Sequence, residues 1–190
     1  MRTKDDEKQE ALFEATVKVV NRIGFAFSSV SKIAKEAGVS PATLYTYHKN
    51  KDDLLISTYM SIKRRLTEIA FEDIDETKPI RDIFQQIWFN LFKFTVEHSN
   101  YFQFSEQFAN SPIYDQVNKK EIDQMFRPIA RLIKYGIKMK IIKSMDPDII
   151  SAFIFYPVII LANPRLCKGF RVTNEQVEQS FQMAWDAIKL

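Results

Sequence analysis

The chain has 190 residues, 46% of them hydrophobic and 27% charged, with a net charge of +3 and one cysteine. That length allows one good core or a small domain joined to a larger one, and the lone Cys167 excludes an intrachain disulfide. Residues 1–66 hold twelve Lys/Arg against eight Asp/Glu, while residues 67–190 hold fifteen against sixteen, so the basic excess lies in the first third, where it permits a polyanionic partner. No basic-then-apolar leader opens the chain. The most apolar run, residues 149–162, is 14 residues long, interrupted by Ser151 and Pro157, and too short to span a bilayer. The expectation is a cytoplasmic protein with no membrane partner.

In chain order, the first pattern is helical. Leu12, Ala15, Val19 and Ile23 form one stripe at 3.6 spacing, and Gly24 follows as a stop. Residues 30–37 and 41–47 then read as two short helices joined by Gly38-Val39-Ser40, a steep turn that needs one residue with positive φ. Ala34 is small enough for close approach, and Ile33, Val39 and Leu44 supply the contacts that hold the pair to the first helix. Ser40 caps the second helix with Pro41 at its first position, and the free N–H groups there suit a phosphate. With Leu44 pinned inward, Ala42, Thr43, Thr46 and Tyr47 face out, as side chains able to read base edges. Tyr45 and Lys51 are placed for phosphate. At the start of the first short helix, Ser29 and Lys32 join the expected DNA contacts.

These residues resemble the DNA-binding domain of the tetracycline-repressor (TetR) family over positions 8–55. The matching pieces are GFAFSSVSKIAKEAGVS and PATLYTYHKNKDDLL, with Thr43-Leu44-Tyr45 and Lys51-Asp52-Asp53-Leu54 the most specific parts. Two positions depart from the family pattern. His48 stands where an aromatic Phe is usual, either packing in its place or lying closer to DNA. Lys32 stands where an acidic residue usually completes a capping box.

The resemblance implies a helix-turn-helix DNA-binding domain in residues 1–50 and an effector-binding and dimerisation domain in residues 51–190. The expected fold is all-α, about nine helices: an N-terminal three-helix helix-turn-helix domain and a larger C-terminal helical domain. Residues 54–76 read as a long linking helix, whose Lys63-Arg64-Arg65 run is taken as a solvated face. The next helix, from about residue 79, carries Ile83, Phe84, Ile87, Trp88, Leu91 and Phe92. In the stretch YFQFSEQFANSPIY, aromatics alternate with amides. The resemblance implies an inducer pocket in this region, with Trp88, Phe92, Phe104, Gln107, Phe108, Phe126 and Phe155 as its expected lining. Their lack of clustered charge points to a small apolar or aromatic effector.

Residues 149–162 are apolar all round, and Pro157 is predicted to kink them. The last helix, opened by Thr173, carries Val177, Phe181, Ala184, Trp185 and Ile188 on one stripe. Pairing these helices with a second copy would cover them, which places Ile150, Ile154, Val158, Val177, Phe181 and Trp185 at a homodimer interface. A two-fold dimer also presents two recognition helices to double-stranded DNA with a palindromic operator. Enzyme signals are lacking: there is no Gly-rich phosphate loop or nucleophile elbow, and the two histidines, His48 and His98, make no metal motif. No cofactor or metal is expected. The function read from the sequence is a DNA-binding transcriptional regulator, most readily a repressor. The alternative is a helical ligand-binding protein or enzyme whose first three helices are only structural.

Overall fold

The computed structural model of the protein describes residues 4–163, 166–168 and 173–190. Among them the regular elements are α1 (Lys4–Phe27), α2 (Val30–Glu36), α3 (Pro41–Tyr47), α4 (Lys51–Ala70), α5 (Ile80–Glu97), α6 (Ser99–Ala109), a 3-10 turn (Pro112–Gln116), α7 (Lys119–Met125), α8 (Arg127–Lys138), α9 (Pro147–Ala162) and α10 (Asn174–Ile188). The class is all-α as expected, with ten helices in place of about nine. One reason is Pro128, which sits in the first turn of α8 and has no N–H with which to prolong α7. The chain folds as two compact units, one of residues up to Lys63 with Asn100–Asn118, the other of Arg64–Ser99 with Lys119–Leu190.

In the first unit, α1 is interrupted at Gly24, whose φ of 76° lies in the left-handed region that side chains avoid. Leu12, Ala15, Val19, Ile33, Ala34, Leu44 and Leu54 form the core of the three-helix head, with Ile23, Val30, Ala37, Val39 and Tyr47 packed around it. The caps follow the sequence. Ser29 accepts from the Lys32 N–H and Ser40 from the Thr43 N–H. Gly38, at φ 68°, makes the turn between α2 and α3.

The second unit is built on rings. In α5, Phe84, Ile87 and Trp88 are wholly buried, and the Trp88 indole donates a 2.9 Å hydrogen bond to the Ile154 carbonyl of α9. Pro157, one turn further along α9, leaves the ladder one N–H short, and the helix runs on through it to Ala162. Thr173 caps α10 by accepting from the Gln176 N–H. Phe181 of α10 packs against Trp88, Phe89 and Trp185, with the Arg81 guanidinium 5.3 Å above its ring.

The residues expected at a dimer interface lie within this packing. Ile150, Ile154, Val158, Val177, Phe181 and Trp185 are all buried within their own chain, in the layer that α5, α9 and α10 make together. A helix apolar on every side hides one row in its own core and leaves another outside. On α9 the outer row is Ile149, Phe153, Tyr156 and Ile160, at 43, 59, 62 and 51% exposure.

Candidate nucleic-acid interface

The recognition face is set by one anchor. Leu44 is fully buried, which turns Pro41, Ala42, Tyr45 and Thr46 of α3 outward; Tyr45 is 55% exposed. Ser40 is also exposed, and its hydroxyl lies 2.9 Å from that of Thr43, which is half-buried. The Thr46 hydroxyl donates back to the Ala42 carbonyl at 3.2 Å, and both residues are exposed. Ser29 and Lys32 are exposed at the start of α2. Of these eight residues expected at DNA, seven are exposed and Thr43 is half-buried.

Tyr47 and Lys51 are placed differently. The Tyr47 ring packs on the head core, and its hydroxyl donates to the Asp5 carboxylate of α1. That hydrogen bond, then burial and the Asp5 charge, holds the phenol above its ordinary pKa. The Lys51 ammonium donates a 2.6 Å bond to the Phe25 carbonyl, closing the broken end of α1. Neither partner was visible in the local pattern, because both lie across the fold. His48 resolves the question its departure raised. It is the C-cap of α3, its side chain is 14% exposed, and its Nδ1 lies 3.4 Å from an Asp53 oxygen. It packs inward, and burial lowers its pKa against the opposing pull of Asp53.

Sequence reasoning missed the clamp between α1 and α2. Lys18 and Arg22 lie 2.5 and 3.2 Å from the two oxygens of Glu36. The hydrogen bond from Lys18 is the largest cause of the lowered Glu36 pKa. The spacing of Lys18 and Arg22, one turn apart on α1, was the available signal.

The expected effector lining is divided between the units. Trp88, Phe92, Phe126 and Phe155 belong to the second; Phe104, Gln107 and Phe108 belong to the first. Trp88 stacks on Phe92, and Phe155 on Phe84. In the first unit, α6 is docked on α1: Phe104 and Phe108 meet Phe25, Tyr101 bonds Glu14, and the Gln107 amide donates to the Asn21 side chain at 3.2 Å. Gln107 is thereby committed to a partner within the head unit. The second unit also has a cleft of about 450 Å3 lined by Asp73, Asp75, Lys78, Asp82 and Phe89 among others, and none of the seven residues borders it. Lys63 departs from the solvated reading as well. Its ammonium lies 5.1 Å over the Tyr59 ring, and burial lowers its pKa, whereas Arg64 is exposed beside Glu121.

With this geometry in view, comparison with known proteins is direct. Residues 12–58 match the family described as bacterial regulatory proteins, tetR family, and residues 79–189 match the tetracyclin repressor-like C-terminal domain. The chain belongs to the TetR family. An uncharacterized HTH-type transcriptional regulator of Haemophilus influenzae is 26% identical over 189 residues, covering both chains fully. The crystal structure of a TetR family transcription regulator from Marinobacter aquaeolei VT8 superposes with a TM-score of 0.88 at 32% identity, covering 100% of this chain and 99% of that one. The transcriptional regulator FadR from Bacillus subtilis, solved in complex with stearoyl-CoA, shares the fold, with a TM-score of 0.73 at 23% identity over 92% and 95% of the two chains. This TetR-family protein is a DNA-binding transcriptional regulator and not an enzyme. No described helix is long and apolar enough to cross a membrane.

Proposed function

We propose that this regulator is a cytoplasmic homodimeric repressor that holds a palindromic operator and is released by a small, mainly apolar or aromatic effector. The observation that carries the DNA reading is the division of α3, with Leu44 wholly inside and Ala42, Tyr45 and Thr46 outside on one face. Residues 1–50 hold the DNA contacts: Ala42, Thr43, Tyr45 and Thr46 meet the major groove, while Ser29, Lys32, Ser40 and Pro41 meet the backbone. Tyr47 and Lys51 act by fixing α3 and the end of α1 in place. Residues 51–190 bind the effector and pair the two copies. The second copy sits on the outer row of α9, four large apolar side chains spread over roughly 16 Å of helix. A two-fold pairing there carries two heads toward two half-sites.

The effector reading is supported by the ring-rich interior that α5 and α10 make in the second unit, and by FadR, whose stearoyl-CoA carries a long apolar chain. Binding shifts the protein toward a form whose recognition helices are misplaced for the operator. The test is selection of bound duplexes from a random pool, followed by anisotropy titration of the enriched sequence against apolar, aromatic and charged compounds. Inverted repeats and release by an apolar compound are expected. Enriched duplexes without two-fold symmetry would remove the dimeric operator, and release by a charged metabolite alone would remove the apolar effector.

A further inference from the structure

Phe27 is left over by everything above. In the head, residues 4–63, the large apolar side chains on the surface are Tyr45 and Phe27, and Phe27 is 73% exposed. Single exposed apolar residues are ordinary on a protein surface; what sets this one apart is the backbone that carries it. The segment around it is closed by four hydrogen bonds: the Ser28 N–H to the Gly24 carbonyl at 3.1 Å, the Ser28 hydroxyl to the Phe25 carbonyl at 2.8 Å, Lys51 to the same carbonyl at 2.6 Å, and Lys32 to the carbonyl of Phe27 itself at 3.0 Å. Ser28 is buried, so the backbone on that side is anchored while the ring is held in water.

The bond from Lys32 sets a positive charge at the backbone of Phe27. A duplex backbone offers the matching pair, a phosphate anion next to the apolar face of a deoxyribose. In a helix-turn-helix the first helix, here α2, crosses that backbone, and Phe27 lies three residues ahead of its first residue with Ser29 and Lys32 exposed next to it. We propose that Phe27 and Lys32 form a sequence-independent clamp on the operator backbone, the ring packing on a sugar while the ammonium pairs with the adjacent phosphate. The clamp rests on the reading that α3 enters the major groove. Contacts of this kind fix register and orientation without carrying base information.

The experiment measures anisotropy on the selected operator and on a scrambled duplex over a salt series, for Phe27→Ala, Phe27→Leu, Lys32→Gln and Tyr45→Ala. Melting curves accompany each variant, and an exposed ring at position 27 makes an unfolded product unexpected. Phe27→Ala should weaken both duplexes by the same factor, roughly tenfold, with the salt slope unchanged, because the lost contact is apolar. Phe27→Leu should keep most of the affinity. Lys32→Gln should lower the salt slope by about one. Wild-type affinity in Phe27→Ala, or a change confined to particular bases, would overturn the clamp while Tyr45→Ala still weakens the operator selectively. If Tyr45→Ala is also without effect, the docking of α3 falls with it.

Discussion

The core of the three-helix head and that of the second unit are made from different materials. The head packs Leu12, Ala15, Val19, Ile33, Ala34, Leu44 and Leu54, short aliphatic side chains that repeat at helical spacing. The second unit packs Phe84, Trp88, Phe92, Phe181 and Trp185, rings drawn from two helices far apart in sequence. An aliphatic core of this size can be small because its only task is to aim α3. A ring core fills a larger volume with fewer residues, and here its rings meet across α5 and α10, Phe84 on Trp185 and Trp88 on Phe181.

Truncation in the ring core is therefore the largest expected effect. Trp88→Ala removes a wholly buried ring and the bond to the Ile154 carbonyl, and should cost about 3–5 kcal/mol in urea unfolding. Leu44→Ala in the head should cost about 2–4 kcal/mol and take operator binding with it. A Trp88→Ala loss smaller than that of Leu44→Ala would show that the second unit repacks freely, and the contrast between the cores would fail.

The next test sets the two rows of α9 against each other. Phe153→Glu with Ile160→Glu changes exposed residues, so the chain should stay folded, sediment as a monomer at micromolar concentration and lose most operator affinity. Ile154→Glu changes the inner row and should unfold the chain instead, because a carboxylate would be buried in the layer shared with α5 and α10. A Phe153/Ile160 variant that remains dimeric would move the pairing surface elsewhere.

What the sequence told and what it hid follows the same division. The caps at Ser40 and Thr173, the Gly38 turn and the inward Leu44 are decided within a few residues of themselves, and each stands where spacing put it. On α9 both rows are apolar, so periodicity carries no information about which row α5 and α10 will cover. The inner row was assigned to a partner for that reason. Gln107 was expected at a pocket, and the acceptor it meets in the structure, Asn21, is 86 residues away and outside any local pattern. Tyr47 and Lys51 were expected at DNA from their place on the recognition segment, and their intrachain partners, Asp5 and Phe25, lie across the fold where no local pattern shows them. Lys63 sat in a basic run that reads as solvent-facing until the Tyr59 ring is placed beneath it.

Within the head, two tyrosines on one short helix separate reading from positioning. Tyr45→Ala should weaken specific binding by about 1–3 kcal/mol and leave non-specific binding nearly intact. Tyr47→Phe keeps the ring on the core and deletes only the bond to Asp5, so it should lower the melting temperature slightly with little change in sequence preference. Equal shifts in base preference for the two variants would make Tyr47 a reader after all.

The smallest expected effect is also the one most specific to this chain. His48 ends α3 from the inside, and burial holds its pKa below the ordinary value of 6.5, while Asp53 pulls the other way. The unfolded imidazole therefore takes up a proton at a higher pH than the folded one. Between the folded pKa and 6.5 the unfolded state carries more protons, so stability falls as pH drops through that window and levels off below it. Glu36, Asp75 and Asp186, with lowered carboxylate pKa values, lose their contributions only at lower pH, below about 4.5. Melting temperature measured between about pH 7 and 5 therefore isolates the imidazole. His48→Phe should flatten the curve in that range and leave stability at neutral pH close to that of the parent. Operator affinity should follow, because the C-cap of α3 holds the turn that carries Thr46. If His48→Phe keeps the parent's acid slope, another group titrates there, and the inward histidine serves packing alone.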